Sequence, residues 1–226
     1  NDTKYKIIYI IRLLTKNYKN ETNIFNNIFN KIIINNNNKT KKFLNSIITD
    51  INFYLEELIL YLKNSENYLL LIKTLYLILI ETLNFIKNFS NNKTFSYIIF
   101  TDEILINFIS TINLHIKNII NLQIDIFNIT NNYNLSEVCL LILDIYTTLN
   151  NINSQKFISS MSKDIRSFDI NIFQNLIKLL LDNNKINNQI YQQFDLLLFQ
   201  IKKLNDIELE NNNQIIPEEL CDPLVN

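Results

Sequence analysis

Phe43-Leu44-Asn45-Ser46-Ile47-Ile48-Thr49-Asp50-Ile51-Asn52-Phe53-Tyr54-Leu55-Glu56-Glu57-Leu58 sets apolar side chains at 43, 44, 47, 48, 51, 54, 55 and 58. Steps of three and four residues put these side chains on one stripe of an α-helix, because 3.6 residues complete a turn. The same spacing runs through most of the chain, and alternation at period two is nowhere sustained. The abundant Ile and Phe would otherwise suggest strands. Between the periodic stretches lie asparagine-rich breaks at Asn35 to Asn38, Asn91 to Lys93, Asn131 to Asn134, Asn183 to Asn188 and Asn211 to Gln214. Asparagine side chains compete with the helix for backbone hydrogen bonds, so these breaks are read as interhelical turns. The pattern predicts an all-α protein: an elongated stack of about eight helices packed as armadillo-like helical repeats, each pair burying its inner stripe against its neighbours. Capping residues predict helix starts at Asp102, Ser136, Ser154 and Asp169.

Composition narrows the function classes. The chain has 226 residues, 47% of them hydrophobic, which suffices for a sizeable core and argues against disorder. It contains no Gly, no Trp, two Pro and no Ala. Those missing residues have GC-rich codons, and the abundant Asn, Ile, Lys, Tyr and Phe have AT-rich ones, so much of the asparagine reflects an AT-rich genome. Without glycine, turns that need positive φ fall to Asn, which tolerates the left-handed region better than other side chains. The net charge of −1 supplies no field that would attract nucleic acid or an anionic membrane. Lys39, Lys41 and Lys42 form too short a cluster to change that and read as a solvated helix start. Several N-x-[ST] sequons are expected by chance in so asparagine-rich a chain.

Cys139 and Cys221 form no disulfide framework, and a reducing intracellular compartment fits their number. Cys139 lies in an apolar run, where a thiol packs as a small hydrophobe. Cys221 stands beside Asp222, which raises a thiol pKa, so it reads as structural or neutral rather than as a nucleophile. With His115 as the single histidine, no histidine pair and no Cys/His zinc cluster can be assembled. His115 itself is read as a helix-surface residue. Glu56 and Glu57 project about 100° apart on a helix and cannot work as a paired acid and base. No catalytic, metal or cofactor residues are expected. The apolar N-terminal run Ile7 to Leu14 is broken by Arg12 and leads to no small-residue cleavage site, so it does not read as a signal peptide. Tyr68 to Ile86 approaches the roughly 20 apolar residues of a membrane span, but Lys73 and Glu81 lie within it and are costly in hydrocarbon. It is read as a helix buried among helices, with no comparable uncharged stretch elsewhere.

Both prolines fall near the C-terminus, in Ile216-Pro217-Glu218-Glu219-Leu220-Cys221-Asp222-Pro223-Leu224. That stretch resembles the opening of a U-box. Three further segments resemble the helical core of ubiquitin chain-elongation factors of the ubiquitin fusion degradation family, in which the core precedes a U-box. Phe43 to Leu58 is similar to the family's F-x-N-x-x-x-N-D-x-x-F-L-L-D-E-x-L. Asn113-Leu114-His115-Ile116-Lys117-Asn118-Ile119-Ile120 is similar to N-Y-N-L-K-Q-L-V. Asp144-Ile145-Tyr146-Thr147-Thr148-Leu149, continuing through Phe157 and Asp164-Ile165-Arg166-Ser167-Phe168 to Phe173, is similar to D-I-Y-x-x-L followed by F-x-x-x-x-x-x-D-x-R-S-[FY]-x-x-x-x-F. The chain departs from the family where Asn121-Leu122 replaces Gly-Pro, Ser160 replaces Ala and Ile165 replaces Gly, which puts local turn geometry in question.

The resemblance implies a division at residues 1–214, the C-terminal part of the helical core, and 215–226, the first residues of a U-box whose remainder would lie beyond Asn226. It implies a U-box ubiquitin-protein ligase that extends ubiquitin chains for proteasomal degradation, acting in cytoplasm and nucleus, while these residues alone would be inactive. Implied partners are a ubiquitin-conjugating enzyme, ubiquitin, ubiquitin-shuttle proteins and the segregase AAA ATPase, with no nucleic acid, membrane or cofactor. Leu224 matches the aliphatic residue that contacts the conjugating enzyme. Asp164, Arg166, Ser167 and Phe168 form a structural motif in which Arg166 is expected to pair with a carboxylate of a neighbouring helix and Phe168 to anchor the turn. The other reading is a generic helical-repeat interaction scaffold without ligase function.

Overall fold

The computed structural model describes residue 31 and residues 37–64, 69–90, 93–122 and 134–213. Of these residues 89% are helical, in eight helices and no strand, so the predicted all-α stack is what forms. The helices are α1 (Asn37–Asn64), α2 (Leu69–Ser90), α3 (Lys93–Ile99), α4 (Asp102–Asn121), α5 (Leu135–Ile152), α6 (Ser154–Ser162), α7 (Ile170–Asp182) and α8 (Asn188–Asn213).

The stripe read from Phe43 to Leu58 is the inner face of α1. Leu44, Ile47, Ile48, Ile51, Tyr54, Leu55 and Leu58 are all buried, and Phe43 packs edge-on against Phe85 of α2 with ring centroids 6.0 Å apart. Each such aliphatic side chain contributes about 1.5–3 kcal/mol by leaving water. Helix α1 packs on α2 and α4, α2 on α5, α5 on α6, α4 on α6 and α7, and α8 on α6 and α7. This relay makes one continuous apolar core from Leu44 to Ile201.

Helix ends follow local chemistry, with shifts from the expected positions. Asp169 is the N-cap of α7, its carboxylate accepting from the Asn171 N–H at 3.0 Å. The caps of α5 and α6 are Asn134 and Asn153, not Ser136 and Ser154: Asn134 Oδ1 accepts from Ser136 N at 2.8 Å and Asn153 Oδ1 from Lys156 N at 3.1 Å. Thr101 occupies the N-cap position of α4, one residue before Asp102. Asparagine therefore starts helices as well as breaking them, since its carbonyl satisfies an otherwise unpaired first-turn N–H. It also closes α7. Asn184 has φ of 54°, the one positive φ among the described residues, and Lys185 N donates to Leu180 O at 2.8 Å in a Schellman-type ending.

Among the described residues two helices are long and apolar enough to cross a membrane by length and composition, Leu69–Asn88 within α2 and Leu135–Ile152, which is α5. The second corrects the reading that no stretch resembled Tyr68 to Ile86. About half of each is buried inside the fold, and the two pack on one another. Polar ties cross their contact: Lys87 pairs with Asp144, and the Tyr76 hydroxyl donates to the Glu137 carboxylate.

Candidate functional site

Residues from all three segments of the second and third motifs meet at one place. Helix α4 contributes Asn113, α5 contributes Tyr146, α6 contributes Phe157 and Met161, and the α6–α7 turn contributes Asp164 to Phe168. Asn113 is fully buried and Tyr146 nearly so. The Tyr146 hydroxyl donates to Asn113 Oδ1 at 2.8 Å, and Asn113 Nδ2 donates to Asp164 Oδ2 at 2.8 Å. The other carboxylate oxygen, Asp164 Oδ1, accepts from Ser167 N at 3.2 Å, while the Asp164 carbonyl accepts from Phe168 N at 3.0 Å. The amide orientation of Asn113 is fixed by this chain, since its NH2 must face the carboxylate and its oxygen the phenol. Burial, and then the nearby Asp164 charge, push the Tyr146 phenol well above its ordinary pKa, so it stays a donor.

Aromatic rings surround the polar chain. Tyr146 lies 5.4 Å from Phe157 in an edge contact and 6.3 Å from Phe173 in a stacked one, and Phe168 lies 5.4 Å from Phe173. In this apolar setting each unmade hydrogen bond would cost its full desolvation penalty. The node thus fixes the relative placement of α4, α5 and the α6–α7 turn.

The predicted structural residues divide here. Asp164 and Ser167 are buried and hydrogen-bonded, and Phe168 is partly buried against the core. Arg166 does not make the expected interhelical ion pair. It is exposed, no described carboxylate pairs with its guanidinium, and its carbonyl accepts from Lys117 Nζ at 3.4 Å. The physical reason is local: the carboxylates nearest in sequence are spent on N–H groups, Asp164 inside the node and Asp169 at the α7 cap. Ile165, at the family's glycine, is 85% exposed. The turn has no positive φ, so a side chain is accommodated there. Ser160, at the family's alanine, is buried.

His115 is not a surface residue. It is 3% exposed, its Nε2 donating to Asn52 Oδ1 of α1 at 2.9 Å, while Nδ1 is buried without a partner. Burial lowers its pKa to about 4, which keeps the ring neutral and fixes it as an interhelical contact between α1 and α4. Its position three residues after Ile112 and seven after Phe108 already places it on the inner stripe. Cys139 is buried, its thiol pushed up to about 12 by desolvation, so it is an inert packing residue. Among the described residues no group of His, Cys, Asp and Glu could hold a metal ion. Leu224 and Cys221 lie outside the described residues.

Sequence reasoning passed over Asn113 and Tyr146, the centre of the node. The signal was present, since both stand inside segments quoted for their family resemblance.

The family model described as ubiquitin elongating factor core matches residues 70–202, more than half of the chain. That span contains the whole node, from Asn113 to Phe173. No curated protein and no solved structure matches the chain.

Proposed function

This chain belongs to the ubiquitin elongating factor core family, and from that premise we propose that it is the platform part of a U-box ubiquitin-protein ligase that lengthens ubiquitin chains already begun on a substrate. In this reading residues 1–214 are the C-terminal part of the helical core and 215–226 the first residues of the U-box. A U-box needs no nucleophile and no zinc. It holds a ubiquitin-conjugating enzyme so that the thioester meets an acceptor lysine, and the rate gain comes from positioning and preorganised electrostatics.

The observation that carries the proposal is the family match over a core whose elements are tied by a buried polar node, because positioning requires a platform that does not deform. The inert Cys139 and neutral, buried His115 agree with a chain that supplies geometry rather than chemistry. Leu224 is assigned to the conjugating-enzyme contact, as a central aliphatic anchor of a small interface. Ubiquitin, ubiquitin-shuttle proteins and a segregase AAA ATPase are the further partners of this reading, in cytoplasm and nucleus.

The test uses the natural reading frame through the roughly 70 residues that a small domain of this size requires. A U-box continuation after Asn226 supports the assignment, and a stop or an unrelated sequence sinks it. In a purified reconstitution of the extended protein, Leu224→Ala is expected to abolish chain extension with unchanged helix content. Retained extension would remove Leu224 from the interface.

A further inference from the structure

The α6–α7 turn has an inner side and an outer side with different roles. Inside, Asp164, Ser167 and Phe168 are held by the node. Outside, the turn presents what the node does not use: Lys163 and Arg166, both exposed, and Ile165, 85% exposed. Helix α4 adds Lys117, whose ammonium donates to the Arg166 carbonyl at 3.4 Å. Two cations and one protruding aliphatic side chain of the turn, with a third cation reaching it from α4, thereby stand together in a chain whose net charge is −1. Both oxygens of the Asp164 carboxylate accept hydrogen bonds, from Asn113 and Ser167, and Asp169 Oδ1 accepts from Asn171 N at the α7 cap; neither carboxylate pairs with Arg166.

Arg12 and Arg166 are the only arginines in a sequence that otherwise uses lysine for positive charge. A planar guanidinium binds a carboxylate through two parallel N–H donors, which a lysine cannot do. The backbone that carries Arg166 is pinned on both sides, by Asp164 N donating to Met161 O at 3.2 Å and by Phe168 N donating to Asp164 O at 3.0 Å. A fork held on a fixed turn loses less freedom on binding than one on a mobile loop.

We propose that residues 163–168, with Lys117, form a preorganised docking knuckle for an acidic polypeptide segment, in which Arg166 grips a carboxylate, Lys163 and Lys117 add charge complementarity, and Ile165 meets an apolar side chain of the partner. A polypeptide fits better than a nucleic acid. Single-stranded nucleic acid binding calls for exposed rings on which bases stack and an extended track of cations; here Phe168 and Phe173 face the core, and the outermost side chain is aliphatic.

The probe is a fluorescein-labelled peptide of Glu-Glu-Leu repeats, titrated by anisotropy with the 226-residue chain. Binding is expected to be weak and to fall steeply between about 20 mM and about 200 mM salt, as the screening length shrinks from about 20 Å to about 7 Å. Arg166→Glu is expected to weaken it by roughly tenfold or more, Arg166→Lys by less, and Ile165→Ser by a few fold. Arg166 and Ile165 are exposed, so circular dichroism should be unchanged in all three variants. The proposal is overturned if the chain does not bind the acidic peptide, if Arg166→Glu binds it as the unmodified chain does, or if a Lys-Lys-Leu peptide binds equally. Tighter binding of labelled oligothymidine or of phosphatidylserine vesicles would overturn it in favour of a phosphate ligand.

Discussion

Replacing Asp164 by alanine removes the acceptor at the centre of the node and leaves its donors in place. Two hydrogen bonds to the carboxylate are lost, from Asn113 Nδ2 at 2.8 Å and from Ser167 N at 3.2 Å. Bonds to charged groups contribute about 1.5–3 kcal/mol each, and a buried donor left unpaired keeps its full desolvation cost. Part of that loss is offset because the carboxylate no longer has to be buried. A net destabilisation of about 3 kcal/mol follows, which in a protein of this size lowers Tm by roughly 6–12 °C. Urea unfolding followed at 222 nm should show the midpoint falling with an unchanged slope, as expected when stability changes without a change in the surface exposed. Tyr146→Phe, which strands Asn113 Oδ1, should cost about 1–2 kcal/mol. Since the two side chains act through Asn113, the double variant should depart from additivity by at least about 0.5 kcal/mol. A loss below about 0.5 kcal/mol for Asp164→Ala, the level of an ordinary surface substitution, would refute the view that this carboxylate holds three elements together.

Two further perturbations separate buried from superficial polar contacts. The folded pKa of His115, about 4, lies below its unfolded value near 6.5, so the unfolded chain binds the extra proton first. Its contribution is therefore complete above pH 6.5 and drains away as pH falls toward 4, by up to about 3 kcal/mol. Comparison with His115→Gln isolates this effect from the carboxylates that titrate in the same range. Equal stability losses for both proteins across that interval would show that His115 does not protonate on unfolding. Lys87→Ala should change stability by less than about 1 kcal/mol, because the Lys87–Asp144 pair is partly solvated; a loss above 2 kcal/mol would mean that the α2–α5 contact depends on it.

Much of this architecture was legible because burial follows periodicity. The stripe from Phe43 to Leu58 predicts α1 and its inner face, and every position on it from Leu44 onward is buried. Asp169 was recognisable as a cap because no compositional bias inflates aspartate here. The caps at Asn134 and Asn153 were missed for the opposite reason: asparagine is so common that its use at a helix start looks like its use in a break. The polarity of His115 points to the surface, whereas its register with Phe108 and Ile112 puts it on the buried stripe. The ion pair expected of Arg166 does not form, and the N–H partners of Asp164 and Asp169 are not visible in the sequence. Those commitments exist only once α4, α5 and the α6–α7 turn are assembled. No local pattern encodes that Asn113, 51 residues before Asp164, supplies its partner.

The central claim is that the helical core acts as a rigid platform for chain extension, and the most direct measurement compares chain lengths on a substrate already carrying one ubiquitin. The natural protein extended through its U-box is set beside the U-box alone, with the same conjugating enzyme. The platform account predicts that both discharge the enzyme's thioester but that only the protein with the core builds long chains. Equally long chains from the isolated U-box would contradict it.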